Sequence, residues 1–254
     1  MNHKEKMLLL TDKKYPLSAK YDPEWIYNNR NGSQSLWLIE GLCQIMDLTP
    51  GMKVLDLGCG NAITSIFLAK EYGVSVFAVD VINPTENLAR IKDFNLENQV
   101  FPIQAEAHRL PFPKGFFDAI ISINSYQFFG TADNYTSDYL SHLLKPGGQL
   151  GLVLFGPEKE FNGAVPDVLK DSWWPDFYFF HSLEWWKWHI EKSRLFDLRI
   201  GDDMNGDGVR ITHIWSKVMD HFDESPTYDI MRWNRMVFIR NSYSANDFRL
   251  SKHI

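Results

Sequence analysis

Two glycines, Gly58 and Gly60, directly follow the apolar run Val54-Leu55-Asp56-Leu57, and Ile63, Ile66, Phe67 and Lys70 come next at helical spacing. A strand that turns through glycines into a helix brings backbone N–H groups up to a ligand at the positive end of the helix dipole. Such a turn serves many nucleotides, and its neighbours narrow the choice. A dinucleotide fingerprint counted from Gly58 needs its third glycine at position 63, where this chain has Ile63. Asp56, two residues before the first glycine, adds a carboxylate that repels phosphates and attracts an ammonium group or organises the turn. A cationic, phosphate-free ligand suits the turn better than a pyrophosphate.

Asp80 lies about 20 residues past the turn, the spacing at which a carboxylate accepts both ribose hydroxyl protons. Glu106 and Asn124 follow two later apolar runs in the same way. Each alone reads as a solvated loop residue. Taken together, Asp56, Asp80, Glu106 and Asn124 sit at the carboxyl ends of successive strands, which is where open α/β sheets bind ligands.

The elements that must position them repeat in βα units. Strands are predicted at Val54–Leu57, Val74–Val79, Val100–Gln104, Asp118–Ile123 and Gln149–Phe155, with helices over about 63–73, 85–94 and 134–144. Leu36, Ile39, Cys43 and Met46 mark one amphipathic helix ahead of them, whereas residues 1–32 read as polar and tyrosine-rich. Lys145-Pro146-Gly147-Gly148 reads as the turn before the fifth strand. Beyond Pro157 the composition shifts, with seven of the nine tryptophans between Trp173 and Trp233. An aromatic insertion over 158–181, a helix over 182–193, a strand over 195–200, a helix from Ile211 to Phe222 and a strand over 236–240 complete the pattern. The chain of 254 residues is 44% hydrophobic, which allows one α/β domain.

These residues resemble the class I S-adenosylmethionine-dependent methyltransferases. Val54–Gly60 is similar to the first motif of that family. The likeness continues through Asp80, Ala105-Glu106-Ala107, Leu110-Pro111-Phe112 with Phe117-Asp118, and Leu144–Gly148, covering roughly residues 36–155. It implies a doubly wound, mostly parallel seven-stranded sheet with helices on both faces and an antiparallel last strand. The expected parts are an N-terminal helical cap (1–48), a cofactor-binding core (49–157), an aromatic insertion with the rest of the sheet (158–241) and a polar tail (242–254). The cofactor set implied is Asp56, Gly58, Cys59, Gly60, Asn61, Asp80, Val81, Glu106, Ala107 and Asn124. Within it the glycine turn would hold the methionine part, Asp80 the ribose, Glu106 and Ala107 the adenine, and Asn124 would lie near the sulfonium. Ala62 replaces a glycine frequent after the turn, and Glu106 replaces the commoner aspartate.

Methyl transfer from a sulfonium is an in-line displacement with a neutral leaving group, so it needs no metal. Alignment supplies about 7–11 kcal/mol of the barrier reduction, and a base matters only where the acceptor must lose a proton. Tyr126, after the fourth strand, and His181, beside the insertion, are the candidate bases. Trp185 and Trp186, with Trp173, Trp174 and Trp188, are candidates for a substrate pocket. Neighbours in a helix cannot share one face, so the pair cannot both be core. Arg30 is a weaker candidate for the cofactor carboxylate. Asp203–Gly208 matches the start of a calcium loop, but position twelve is Ile214, so a helix-capping turn is expected.

A formal charge of -6 opposes a broad phosphate-binding surface, so a small-molecule substrate is expected rather than nucleic acid. Two cysteines, Cys43 and Cys59, form neither a disulfide framework nor a zinc knuckle, and no stretch has the length of a membrane span, in keeping with a cytoplasmic enzyme. Three other readings remain: a nicotinamide-dependent oxidoreductase, a non-catalytic binding relative, and a cyclopropane-forming lipid modification.

Overall fold

Seven strands form one sheet in the order β3-β2-β1-β4-β5-β7-β6. In the computed structural model, which describes residues 1–31, 34–161, 165–172, 178–219 and 230–242, β1 is Lys53–Leu57, β2 Ser75–Asp80, β3 Val100–Gln104, β4 Phe117–Ile123, β5 Leu144–Pro157, β6 Phe196–Asp202 and β7 Met231–Arg240. The first five pair in parallel, and β7 runs antiparallel to both β5 and β6. The doubly wound sheet and its antiparallel last strand are thus as expected. Trp173, Trp174, Phe222 and all but the first residue of the polar tail lie outside the described residues.

Helices cover both faces because alternate strand residues point to opposite sides. Val54, Val76, Ala119 and Ile121 join one core cluster with Leu36, Leu38, Ile39, Ile66 and Phe67 from α3 (Ser35–Cys43) and α4 (Ile63–Tyr72). Leu55, Leu57, Ile120, Leu150 and Leu152 join the other, against Leu140, Leu143 and the α7 (Leu183–Glu191) residues Trp186 and Ile190. Each such aliphatic side chain contributes about 1.5–3 kcal/mol over its exposed state.

Several boundaries differ from expectation. Residues 1–32 contain two short helices, α1 (His3–Leu9) with an Asn2–Glu5 capping box and α2 (Pro23–Asn29) capped by Asp22. Glu40 of α3 anchors the segment between them, accepting from the Leu17 and Ser18 N–H groups and the Ser18 hydroxyl. Lys145–Gly148 is not a free turn: β5 begins at Leu144, opposite Phe117, and the next pair is Ala119 with Gln149, so these residues bulge out beside Asp118. The helix expected over 134–144 is a π-type segment, Tyr135–Leu140, followed by the short α6 (Ser141–Leu143). Helix α5 is Thr85–Asp93, and α8 is Gly208–Met219. Ahead of α8, Asp202 and Asp203 accept from the Asn205 and Gly206 N–H groups, so the calcium-like run is a turn that enters the helix.

Candidate active site

The carboxyl ends of β1, β2 and β4 open onto a cavity of about 270 Å³. Gly58, Cys59, Gly60, Asn61, Asp80 and Asn124 of the expected set all line it. The turn has a backbone that favours glycine: Gly58 has φ +78° and Gly60 φ +51°. A Cβ on Gly58 would meet Ser125 Oγ at 1.7 Å, and one on Gly60 would meet Asn31 Nδ2 at 2.6 Å. Ala62 takes the same left-handed conformation at φ +58°, one that glycine would adopt at less cost. Asp80 Oδ2 accepts from the Gly60 N–H at 2.8 Å, joining the end of β2 to the turn. Asn124, at φ +53°, turns its side chain at the end of β4, where Gln127 donates to its Oδ1 at 3.1 Å.

The donor set discriminates between ligands. Among the described lining residues the only charged side chain is the Asp80 carboxylate, with no lysine, arginine or histidine. A pyrophosphate would find no counter-charge here, whereas a cationic nucleoside with free ribose hydroxyls finds a carboxylate acceptor and the N–H groups of a glycine turn.

The comparisons with known proteins agree. Residues 54–148 match the family model described as a methyltransferase domain. The ubiquinone/menaquinone biosynthesis C-methyltransferase UbiE of Vibrio vulnificus is 32% identical over 185 residues, covering 70% of this chain and 66%, just under two thirds, of that protein. The methyltransferase GfsG of Streptomyces halstedii is 31% identical over 118 residues, 46% of this chain and 42% of that protein. Residues 54–148 thus carry a methyltransferase domain. Among solved structures, phosphoethanolamine N-methyltransferase 2 of Haemonchus contortus, in complex with S-adenosyl-L-methionine, shares the fold with a TM-score of 0.69 at 19% identity. That match covers 93% of this chain and 60% of that one. Geranyl diphosphate C-methyltransferase of Streptomyces coelicolor aligns with a TM-score of 0.65 at 15% identity, over 82% of this chain and 77% of that one.

The rest of the set expected of a methyltransferase lies around this cavity or away from it. Val81 is 61% exposed beyond the end of β2, and Glu106 is exposed and bonded to His108 at 3.0 Å. The Ala107 carbonyl accepts from the Tyr135 hydroxyl at 3.0 Å. Asp56 does not line the cavity. It is buried beneath the turn, where its Oδ2 accepts from the Thr64 and Ser65 hydroxyls at 2.6 Å each and its Oδ1 has no partner. It organises the start of α4, which is the turn-organising role that the sequence allowed rather than the attraction of an ammonium group.

Burial pushes the Asp56 carboxyl up from its ordinary 3.8 to about 6, against the pull of the two hydroxyls and with a push from Asp80. The folded protein therefore holds this proton more tightly than the unfolded chain. The associated stability is fully present below pH 4 and is lost as the pH rises through about 6, a change of about 3 kcal/mol. Thermal unfolding of the wild type between pH 4 and 7 is expected to show this component, and Asp56→Asn to lack it.

Tyr126 is not on the cavity wall. It is fully buried, its hydroxyl bonded to Thr136 Oγ1, and burial pushes its phenol well above its ordinary range. A phenol with no exposed atoms cannot meet an acceptor, so its role is packing. Tyr126→Phe is expected to cost about 1 kcal/mol of stability with turnover retained; loss of turnover in a folded variant would return the base to Tyr126. Trp186 is likewise core rather than pocket, 1% exposed and packed on Tyr126 at 5.7 Å. Trp185 is half-buried between two rings, His181 at 3.7 Å and His189 at 4.4 Å, and Trp188 faces solvent. His181 is held by Glu160 at 3.1 Å and is not part of the cavity lining. The Arg30 side chain lies over the Tyr27 ring and reaches Met219, and Arg30 is not part of the cavity lining.

Asn31, Ser35, Thr64, Ser125 and Phe128 line the cavity without having been foreseen. Ser125 and Phe128 follow Asn124 so closely that the end of β4 was signal enough. Asn31 and Ser35 come from the cap segment, where one sequence offers no mark of long-range contact.

Proposed function

We propose that this protein transfers a methyl group from S-adenosylmethionine to a small-molecule acceptor. One observation carries the reading: the glycine turn, the Asp80 carboxylate and Asn124 converge on one cavity whose described lining holds no cation. Gly58, Cys59, Gly60 and Asn61 would receive the methionine end at the start of α4, Asp80 the ribose hydroxyls, and Val81, Glu106 and Ala107 the adenine. Asn124 would face the sulfonium. When bound, the cofactor supplies an electrophilic methyl on a sulfur that leaves neutral as the acceptor's lone pair forms the new bond. The protein's own task is alignment.

Phe128 bears on the acceptor. It is 49% exposed on the cavity wall, with Phe179 edge-on at 5.8 Å, so one side of the approach is aromatic. The described lining offers no cation for an acceptor phosphate either. The UbiE relatives, named for quinone biosynthesis, favour a neutral acceptor as well. We place His181 and Trp185 at the acceptor side, with His181 as the candidate base. We read the chain as one domain, with a cap (1–48), a core (49–157) and an aromatic region (158–241), acting in the cytoplasm; the free, buried thiols of Cys43 and Cys59 suit that setting.

Calorimetric titration tests the reading. S-adenosylmethionine and S-adenosylhomocysteine are expected to bind in the micromolar range and NADH not at all. Binding of NADH alone would replace the reading with the oxidoreductase one.

A further inference from the structure

Arg90 lies on α5, outside the cavity, with its side chain 15% exposed. Its guanidinium makes contacts in three directions. Nε donates to Asn29 Oδ1 at 2.6 Å, Nη1 to Asn87 Oδ1 at 2.8 Å, and Nη2 to Glu86 Oε2 at 2.9 Å. Both amides lead to the glycine turn. Asn87, almost fully buried, donates from Nδ2 to the Gly60 carbonyl at 2.9 Å, and the Asn29 carbonyl accepts from Asn61 Nδ2 at 3.1 Å.

The Gly60 residue is thus held from both sides, its N–H by Asp80 and its carbonyl by Asn87. Asn29, the last residue of α2, is held through its side chain by Arg90 and through its backbone by Asn61. Two residues further on, Asn31 lies on the cavity wall, so close to Gly60 that a Cβ there would collide with it. A planar fork joins three acceptors on two helices through three separate nitrogens, whereas the three donors of an ammonium all radiate from one atom.

We propose that Arg90 is a positioning residue for the cofactor: it locks segment 29–31 onto the glycine turn and so sets the shape of the wall that receives the amino-acid end of the ligand. This rests on the methyltransferase reading above. It assigns the N-terminal cap a direct share in cofactor affinity, transmitted through one guanidinium that never touches the ligand.

The test uses the full chain titrated with S-adenosylhomocysteine, which requires no knowledge of the acceptor. Arg90→Met and Asn29→Ala are each expected to weaken binding by about tenfold, in line with lost hydrogen bonds to a charged group. The double variant should be no weaker than Arg90→Met, because that change has already removed the contact that Asn29→Ala breaks. Arg90→Lys, which keeps the charge and loses the fork, should stay close to Arg90→Met. In the ligand-free variants, hydrogen exchange should speed up at residues 23–31 and 58–64 while the central strands keep their protection.

Wild-type affinity and wild-type exchange in Arg90→Met would overturn the proposal. So would additive losses in the double variant, or exchange that accelerates across the whole sheet, which marks a merely structural arginine. If the wild type itself fails to bind, the methyltransferase reading falls and takes the proposal with it; a wild type that binds beside an unaltered Arg90→Met sinks only the proposal.

Discussion

Asp80→Ala is expected to weaken S-adenosylmethionine binding by at least about 100-fold, since two ribose hydroxyls donating to one carboxylate are each worth about 1.5–3 kcal/mol. The same carboxylate accepts from the Gly60 N–H at 2.8 Å and the Ile82 N–H at 3.3 Å. Removing it therefore also frees the turn from the end of β2. Asp80→Asn separates the two effects. An amide oxygen still accepts from Gly60 but carries no charge, so its affinity should fall between the wild type and Asp80→Ala. Calorimetry on the three proteins checks the order, and an Asp80→Ala variant that binds like the wild type would remove Asp80 from the site.

The second large effect belongs to Gly58. Alanine there adds a Cβ 1.7 Å from Ser125 Oγ and 2.5 Å from Ser125 Cβ, at a φ of +78°. Left-handed strain and overpacking together should cost about 2–5 kcal/mol, a fall in Tm of roughly 10 °C for a chain of this size. The new methyl also stands on the cavity wall, so cofactor affinity should fall with stability. Adding Ser125→Gly to Gly58→Ala restores space but not backbone freedom, and thermal melts should recover only part of the loss. Full recovery would show that crowding alone made the position glycine.

The expected residues that meet at the cavity have positions fixed by local chain geometry. Gly58 and Gly60 had to follow a strand and precede a helix, and Asp80 and Asn124 had to end strands, so short-range periodicity sufficed to gather them. Tyr126 and Trp186 failed for a different reason. Their position along the chain was right for a pocket, yet a large ring turns toward whichever side offers an apolar partner, and each found the other in the core. The β5 boundary was missed because Pro146 and Gly147-Gly148 signal a turn locally, and the chain does turn at Gly147, φ +76°, but pairing with β4 already begins at Leu144 and takes the turn in as a bulge. The cap helices carried readable signals, the Asn2–Glu5 box and Asp22-Pro23, that the polar composition outweighed. Asn31 and the links from Arg90 to Asn29 and Asn87 depend on contacts between distant parts of the chain, which no spacing rule encodes.

The place of β7 also bears on how the chain is made. It separates β5 from β6, yet it begins at Met231, long after β5 has ended at Pro157 and β6 at Asp202. A ribosome adding about 5–20 residues per second leaves the 14-residue β5 with one bare edge for several seconds, and β6 with no neighbour at all. The nascent sheet can assemble from β3 to β5 as it emerges, but its last two strands enter together, and in reverse of their order of synthesis. A message cut short before Met231 would release a sheet ending in a long apolar edge, a ready template for self-association.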